Sequence, residues 1–442
     1  MASFYQVNLA VLALANTCFF VYRHRTRNHK SPSRSDHRDE HGAGTDTSFQ
    51  QRFLLVYTLV VAADWLQGPY TYAIYKYEKQ LAEQTVALLY ASGFVSGAVS
   101  APFAGQLADR YGRRAACVAY CICYGITCLT MLSHNLEILY VGRFFGGIAT
   151  TLLFSVFEAW IITEYHSLQP DEGRICLGRI FANMTTISTI TAICSGVLGD
   201  GLVRGFGSRL GPFLASLGCC IGAGILILTT WRENYGGRAK PKEGLGARDL
   251  GHHILATLTN PKIMALTFAS CCFEGAMYLF VFFWSASLKS ARAKSGREDE
   301  PPFGLIFSSF MCVMMAGSSV SASRDALHSN RSTLNALMLI FAVASGGFAV
   351  STMLDHEHVL FWAFCVIEGC VGAYFPKMAL IKSNVIDDSV RGGVYSTLRL
   401  PLNIFVVVAH SLDRDGDEHR NTVFLTCAGL LLVAFLVISR QT

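Results

Sequence analysis

The sequence predicts an all-α polytopic membrane protein: two six-helix bundles related by a pseudo-two-fold axis, with one extra hydrophobic helix at the N-terminus. Three observations predict it. Apolar stretches of about 20 residues recur along almost the whole chain, the length a helix needs to cross a roughly 30 Å hydrocarbon core. Only 15% of the 442 residues are charged, while 52% are hydrophobic; a soluble domain carries about a quarter charged residues. The remaining charge falls mostly in short gaps between the stretches. A spanning β-barrel would show alternating polarity instead of continuous apolar runs.

In order, the stretches are 4–22, 53–75, 85–107, 115–133, 136–162, 175–198, 212–230, 263–288, 303–323, 333–353, 358–381, 392–412 and 421–439. The first stands apart from the twelve core spans. Its N-terminus carries no Lys or Arg, whereas Arg23, Arg25, Arg27 and Lys30 follow it. That asymmetry suits a retained anchor (1–22) with its N-terminus outside, since a cleaved signal wants positive charge in front. Residues 23–52, rich in Arg, His, Ser and Asp, read as a basic, disordered cytoplasmic linker.

The twelve core spans divide at a polar, glycine-containing linker, 231–261, into halves 53–230 and 262–440. Six helices, a linker and six more helices is the layout of transporters built from parallel repeats. Placing 23–52 in the cytoplasm gives the cytoplasmic segments about 22 Lys and Arg against about 10 in the others. The positive-inside rule therefore puts the C-terminus in the cytoplasm.

Composition also narrows function. The fifteen cysteines lie in or beside the apolar stretches without CxxC pairs, so they read as small packing residues and not as disulfides or metal ligands. The formal charge of +5 is accounted for by basic loops and calls for no nucleic acid. No Ser/His/Asp grouping, phosphate loop or metal-ligand spacing suggests an enzyme or a cofactor. His410, alone in core span 11, reads as a packed or pore-facing side chain.

Between core spans 2 and 3 stands Gly105-Gln-Leu-Ala-Asp109-Arg110-Tyr-Gly112-Arg113-Arg114. Gly105 would let neighbouring helices approach, and Gly112 would permit a tight turn. Asp109 could pair with an arginine or face a helix N-terminus, forming a latch that breaks as the halves rock. The loop resembles the signature of the major facilitator superfamily at every key position. Arg143-Phe-Phe-Gly146-Gly147 is similar to that superfamily's second motif, and Gly317…Arg324-Asp325 looks like a worn second copy of the first.

Finer matches point to one family. They are Asp64-Trp-Leu-Gln-Gly-Pro-Tyr70, Phe157-Glu158-Ala-Trp160, Trp231-Arg-Glu-Asn-Tyr235, Phe273-Glu274, Gly304-Leu-Ile-Phe-Ser-Ser-Phe310, Tyr374-Phe-Pro376 and Arg399-Leu-Pro401-Leu402. Collinear through both halves, from about residue 53 to 440, they resemble the molybdate-anion transporter family. That resemblance implies uptake of the molybdate dianion across the plasma membrane; the residues alone do not name the solute.

Ionisable residues within spans are costly and therefore functional candidates. Asp64, Arg143, Glu158, Arg179, Glu274, Glu368, Lys377 and Arg399 stand out, four acidic and four basic, so internal salt bridges are a competing role for each. Helices 5 and 11 of the core repeat Arg179-x-x-x-Asn183 and Arg399-x-x-x-Asn403, a spacing that sets arginine and amide on one helical face. Two guanidinium forks with flanking amides match a tetrahedral dianion. The candidate anion site is therefore Arg399, Arg179, Asn403 and Asn183, joined by Arg143. Asp64, Glu274 and Glu368 are candidates for proton coupling or internal pairing. Gly105, Asp109, Arg110, Gly112, Arg113 and Glu158 are the candidate gating set.

Three function classes remain open on residues alone: an oxyanion transporter, a transporter of sulfate, an organic anion or a sugar on the same scaffold, and a non-transporting sensor or interaction protein. The transporter readings work as a monomer within the bilayer.

Overall fold

The computed structural model describes residues 3–29, 43–168, 173–235, 260–297, 299–323, 330–385 and 391–440. The described chain is helical, with no strand among these residues. Helix α1 is Phe4–His29, α2 Ala43–Gln67, α3 the single turn Thr71–Ala73, followed by a π-helical turn at Ile74–Glu78. Next come α4 Glu83–Tyr111, α5 Arg113–Thr130, α6 Leu136–Leu153, α7 Val156–Leu168, α8 Gly173–Phe206 and α9 Leu210–Thr230. The second half holds α10 Pro261–Lys294, α11 Phe303–Ser323, α12 Asn330–Ser351, α13 Glu357–Val385, α14 Arg391–Ser411 and α15 Asp417–Ser439.

Local chemistry explains the ends. Asn135 and Asn260 accept the backbone N–H groups of Glu137 (2.8 Å) and Lys262 (3.0 Å), capping α6 and α10. Pro261 at the first position of α10 gives up an N–H that would lack a helical partner anyway.

Two expectations need revision. Core span 1 is not continuous, because the chain turns at Gly68-Pro69-Tyr70 between α2 and α3; a proline cannot donate within the helix. Core span 4 stays one membrane-crossing segment, Leu136–Tyr165, with a short turn at Phe154 and Ser155 between α6 and α7. The linker read at 23–52 is shortened from both sides, with α1 running to His29 and α2 starting at Ala43; residues 30–42 lie outside the described residues. The linker expected at 231–261 is described only at 231–235 and from 260, and Arg324 and Asp325 are also outside.

Ten of the described helical segments are long and apolar enough to cross a membrane, making this a multi-pass membrane protein. Large apolar side chains such as Ile122, Leu198 and Leu436 are more than half exposed, which lipid tolerates and water does not.

Contact clustering yields two compact units. Unit 1 comprises Met1–Tyr70, Phe103–Gly237 and Pro302–Cys312; unit 2 comprises Thr71–Pro102, Arg238–Pro301 and Val313–Thr442. In unit 1, α2 packs on α8 and α9, and α5 on α6 and α9. Its core is aromatic: Trp160 and Trp231 stack at 3.8 Å, with Phe53 parallel to both. The extra helix α1 is tied on by Asn16, whose side-chain amide donates to the Cys312 carbonyl at 2.9 Å. In unit 2, α10 packs on α14 and α15, and α12 on α13 and α15. The neighbours of each unit thus repeat six spans later, which is the internal repeat of the fold.

Two segments group with helices from the opposite half of the sequence: 71–102 in unit 2 and 302–312 in unit 1. They are the first parts of α4 and α11, equivalent helices of the two repeats.

Candidate functional site

The loop that carries the candidate gating residues is held by several hydrogen bonds. Gly112 has φ +112°, and a Cβ there would lie 2.4 Å from the Glu233 side chain, so only glycine fits the turn. Arg113 binds Asp109 through Nη2 (2.8 Å) and Nε (2.9 Å), and Nη1 donates to the Ala159 carbonyl (2.9 Å) and to Thr163 Oγ1. Asp109 therefore pairs with an arginine, while the N-terminus of α5 belongs to another acid. Glu233 accepts from the backbone N–H groups of Arg114 (2.8 Å) and Ala115 (3.2 Å), where the helix dipole favours negative charge. The Arg113 N–H donates to the Asn234 carbonyl at 2.9 Å, and the Trp160 indole to the Arg232 carbonyl at 3.0 Å. Three of the quoted motifs, around Gly112, Trp160 and Trp231, thus interlock as one joint.

Gly105 does not fulfil its expected role. It is exposed, and a Cβ there would meet no atom within 4 Å, so no close helix approach requires it. Arg110 is exposed and lies 5.5 Å over the Tyr111 ring, and Glu158 is exposed on α7. Glu233 was legible only as a member of a motif, because its role depends on a helix start more than 100 residues away. Replacing Glu233 with alanine would strip the cap from α5, at a cost of about 0.5–2 kcal/mol. A lower melting temperature for the detergent-solubilised variant checks this; an unchanged one would remove the cap from the account.

Within unit 1, Asp64 accepts a 2.7 Å hydrogen bond from the Tyr124 hydroxyl. The Trp65 indole donates to Ser188 (3.3 Å) and tilts against Phe307 (5.8 Å). Asn183 on α8 and Arg143 on α6 are half-buried. Arg179 lies on α8, but its side chain falls outside the described residues.

Tyr70 closes the end of this unit. Added Cβ atoms at Gly199 and Gly304 would come within 2.7 Å and 2.4 Å of the Tyr70 ring and hydroxyl, and one at Gly196 within 2.5 Å of the Gly304 carbonyl. Small residues let α8 and α11 approach backbone to backbone. The Asp64–Tyr70 and Gly304–Phe310 motifs meet here.

Within unit 2, Glu274 accepts from the Tyr374 hydroxyl at 3.1 Å, and Lys382 Nζ stands 3.8 Å away. The Tyr374 ring stacks on Phe273 at 4.1 Å, joining two more motifs. Lys377 Nζ donates to the Ser321 carbonyl at 3.1 Å. Glu368 is buried, and no hydrogen-bond or ion-pair partner is found for it among the described residues. Asn403 is half-buried on α14; Arg399 is on the same helix, its side chain outside the described residues. His410 is packed, with Nδ1 2.8 Å from the Val406 carbonyl and the ring 4.9 Å from Phe282.

The sequence placed Lys382 in a loop starting at that residue. Because α13 continues to Val385, Lys382 remains on the helix and reaches Glu274. Asp64 and Glu274 thus share a pattern, each a carboxylate held by a tyrosine hydroxyl within its own unit.

A protein-family model described as sugar transporters with 12 transmembrane segments matches residues 29–360. A molybdate-anion transporter of Xenopus tropicalis is 30% identical over 422 residues, covering 93% of this chain and 89% of the relative. The chain belongs to the molybdate-anion transporter family of the major facilitator superfamily. Another member, the molybdate-anion transporter of Danio rerio, is 27% identical over 432 residues, covering 88% of this chain and 86% of the relative.

Solved structures agree on the fold. The nucleoside transporter NupG superposes with a TM-score of 0.65 at 16% identity, covering 88% of this chain and 98% of that one. A peptide transporter crystallised with sulfate gives 0.72 at 13%, covering 89% and 94%. As a family member with this fold, the protein is a membrane transporter.

Proposed function

We propose that the protein is a secondary active transporter that takes up molybdate by alternating access. It works as a monomer in the plasma membrane, N-terminus outside and C-terminus cytoplasmic. The observation that carries the substrate is the near full-length similarity to relatives named molybdate-anion transporters. Arginines within the spanning helices give the reading a physical basis. Arg399 and Arg179 bind the two charges of the anion, with Asn403, Asn183 and Arg143 completing its hydrogen bonds.

Moving a dianion inward against a negative-inside potential costs roughly 2.3 kcal/mol per charge per 100 mV. Co-transported protons offset that cost, with Asp64, Glu274 and Glu368 as carriers. The 3.8 Å pair of Glu274 and Lys382 supplies a coupling step. A proton on Glu274 weakens its pull on Lys382 and so links protonation to a cation on α13. The gating loop at Asp109–Arg113 responds as the halves rock.

A sugar is the second reading, favoured by the description of the matching family model. Uptake of radiolabelled molybdate at nanomolar concentration, in cells with confirmed surface expression, tests both. Saturable uptake that resists excess sulfate and glucose is expected. No uptake above control removes molybdate, and competition by a sugar moves the assignment to the second reading. At clamped potential, uptake that ignores external pH would end the coupling proposal.

A further inference from the structure

The two segments that pack on helices of the opposite half differ in chemistry. The first part of α11 meets unit 1 through glycine and Tyr70, with no charge pair in the crossing beyond Asp200 and its neighbour Arg204 among the described residues. The first part of α4 meets unit 2 through an ionic seam, at the end of α4 away from the Asp109 loop. Glu83, the first residue of α4, accepts from the Tyr72 hydroxyl (2.9 Å) and stands 3.8 Å from Lys76 Nζ and 3.6 Å from Arg420 Nη1. Lys76 also binds Asp415 at 2.6 Å. Residues 72–83 come from the first half of the chain and 413–420 from the second, so these bonds must break whenever the halves part at this end.

Asp413 lies at the middle of the seam, on the loop between α14 and α15. Its side chain is only 2% exposed, as is that of Glu83. Oδ1 accepts from the Arg414 N–H (3.0 Å) and faces His419 Nε2 (3.0 Å), while the buried Oδ2 has no partner among the described residues. The cations near it are shared among several acids. Glu83, Asp413 and Asp415 make three carboxylates, against the permanent cations Lys76 and Arg420. Arg414 is exposed to solvent, and Arg420 is shared with Asp417, which also takes Lys294 at 3.5 Å and the Ser290 hydroxyl. A buried carboxylate with an orphaned oxygen beside another buried carboxylate is relieved by one proton.

We propose that Asp413 is a proton-binding site whose occupancy holds this seam closed, so that the solute entrance at this end opens more readily as the adjoining solution becomes alkaline. The site takes its proton from water. It is separate from the carboxylates within the spans, and it would act whatever solute the protein carries. Burial, then the charge of Glu83, pushes the Asp413 carboxyl up to about 7, with Asp415 adding to the rise and Arg420 opposing it. Asp415, held by Lys76, moves the other way.

The sign follows from linkage. Parting of the seam returns Asp413 to water, where an aspartate titrates near about 3.9. The closed seam therefore binds the proton more tightly than the open one. Its advantage is full below about pH 4 and is lost as pH rises through about 7. His419 faces the same oxygen, but burial and the neighbouring Arg414 and Arg420 hold its imidazole below the usual range, so it supplies no compensating cation near neutral pH.

The test is accessibility of the seam and not transport. Ala87 lies one turn along α4 from Glu83 and is fully buried. In Ala87→Cys protein in intact cells, labelling by a membrane-impermeant maleimide, above the background of the parent chain and divided at each pH by the reagent's rate with free cysteine, should rise about tenfold from pH 5.5 to 7.5. Asp413→Asn carries the uncharged form permanently, and in it labelling should stay low and flat. Should that variant fail to reach the surface, Glu83→Gln, which removes the repulsion from the other side but leaves the burial, is expected to shrink the rise to about threefold. Labelling that climbs with pH in the Asn variant as it does in the parent, or in the Gln variant where it is the deciding one, overturns the proposal.

Discussion

Replacing Gly372 with alanine should clearly lower the stability of the fold. Its Cβ would sit 2.0 Å from the Met314 carbonyl oxygen, 2.7 Å from the carbonyl carbon and 2.9 Å from the Cα, all backbone atoms that cannot rotate away. The contact is reciprocal, because a Cβ on Gly317 would come within 2.3 Å of the Gly369 carbonyl. Helices α11 and α13 therefore touch backbone to backbone over about one turn, an approach that only small residues allow in a membrane, where dispersion and weak hydrogen bonds replace the hydrophobic drive. One methyl forces the pair apart along its length. Overpacking of this kind costs about 1–3 kcal/mol and occasionally more. Gly346 is the control, since a Cβ there meets nothing within 4 Å. Thermal unfolding of purified protein should show a clear fall for Gly372→Ala and none for Gly346→Ala. Equal melting temperatures for the two would mean that α11 and α13 can separate at no cost.

Much of the fold was legible because a bilayer writes its demands in plain composition. Long apolar runs, basic loops and the Asp109–Arg114 motif all follow from the cost of charge and unpaired backbone in lipid. The pairing of side chains was not legible. Glu233 caps α5 from more than 100 residues away, and Tyr374 reaches Glu274 across 100; neither leaves a local periodicity. Gly105 shows the converse, a motif residue whose presence suggested a contact that the structure lacks. Lys382 was missed because the end of an apolar run marks where lipid contact stops, not where the helix stops, and α13 continues four residues beyond that end. The packing of 71–102 with second-half helices was also invisible, since apolar residues at a helix–helix contact look like those facing lipid. The motifs quoted in pairs did carry information of this kind. Asp64–Tyr70 meets Gly304–Phe310, and Phe273-Glu274 meets Tyr374, although the spacing alone did not say which would meet.

Arg399→Ala should abolish molybdate uptake at nanomolar concentration, and Arg399→Lys should weaken it without abolishing it. The argument is one of hydrogen-bond geometry. Hydrogen bonds to charged groups contribute about 1.5–3 kcal/mol each, and a guanidinium can offer two parallel donors to adjacent oxygens where an ammonium acts as a point charge. Losing one such bond in the Lys variant corresponds to about tenfold weaker half-saturation, at about 1.4 kcal/mol per tenfold. The alanine variant loses charge as well as geometry, and the opposing arginine alone cannot offset both charges of the anion. The competing role for Arg399 is an internal salt bridge, and the two roles separate in the measurements. A structural pair predicts that alanine lowers the melting temperature and that a second substitution, neutralising the partner acid, restores it. A substrate ligand predicts normal surface expression and stability with a raised half-saturation, shared by Arg179→Lys on the equivalent helix of the first half. Arg399→Lys with unchanged affinity and rate would take bidentate recognition out of the mechanism and move the anion site away from α14.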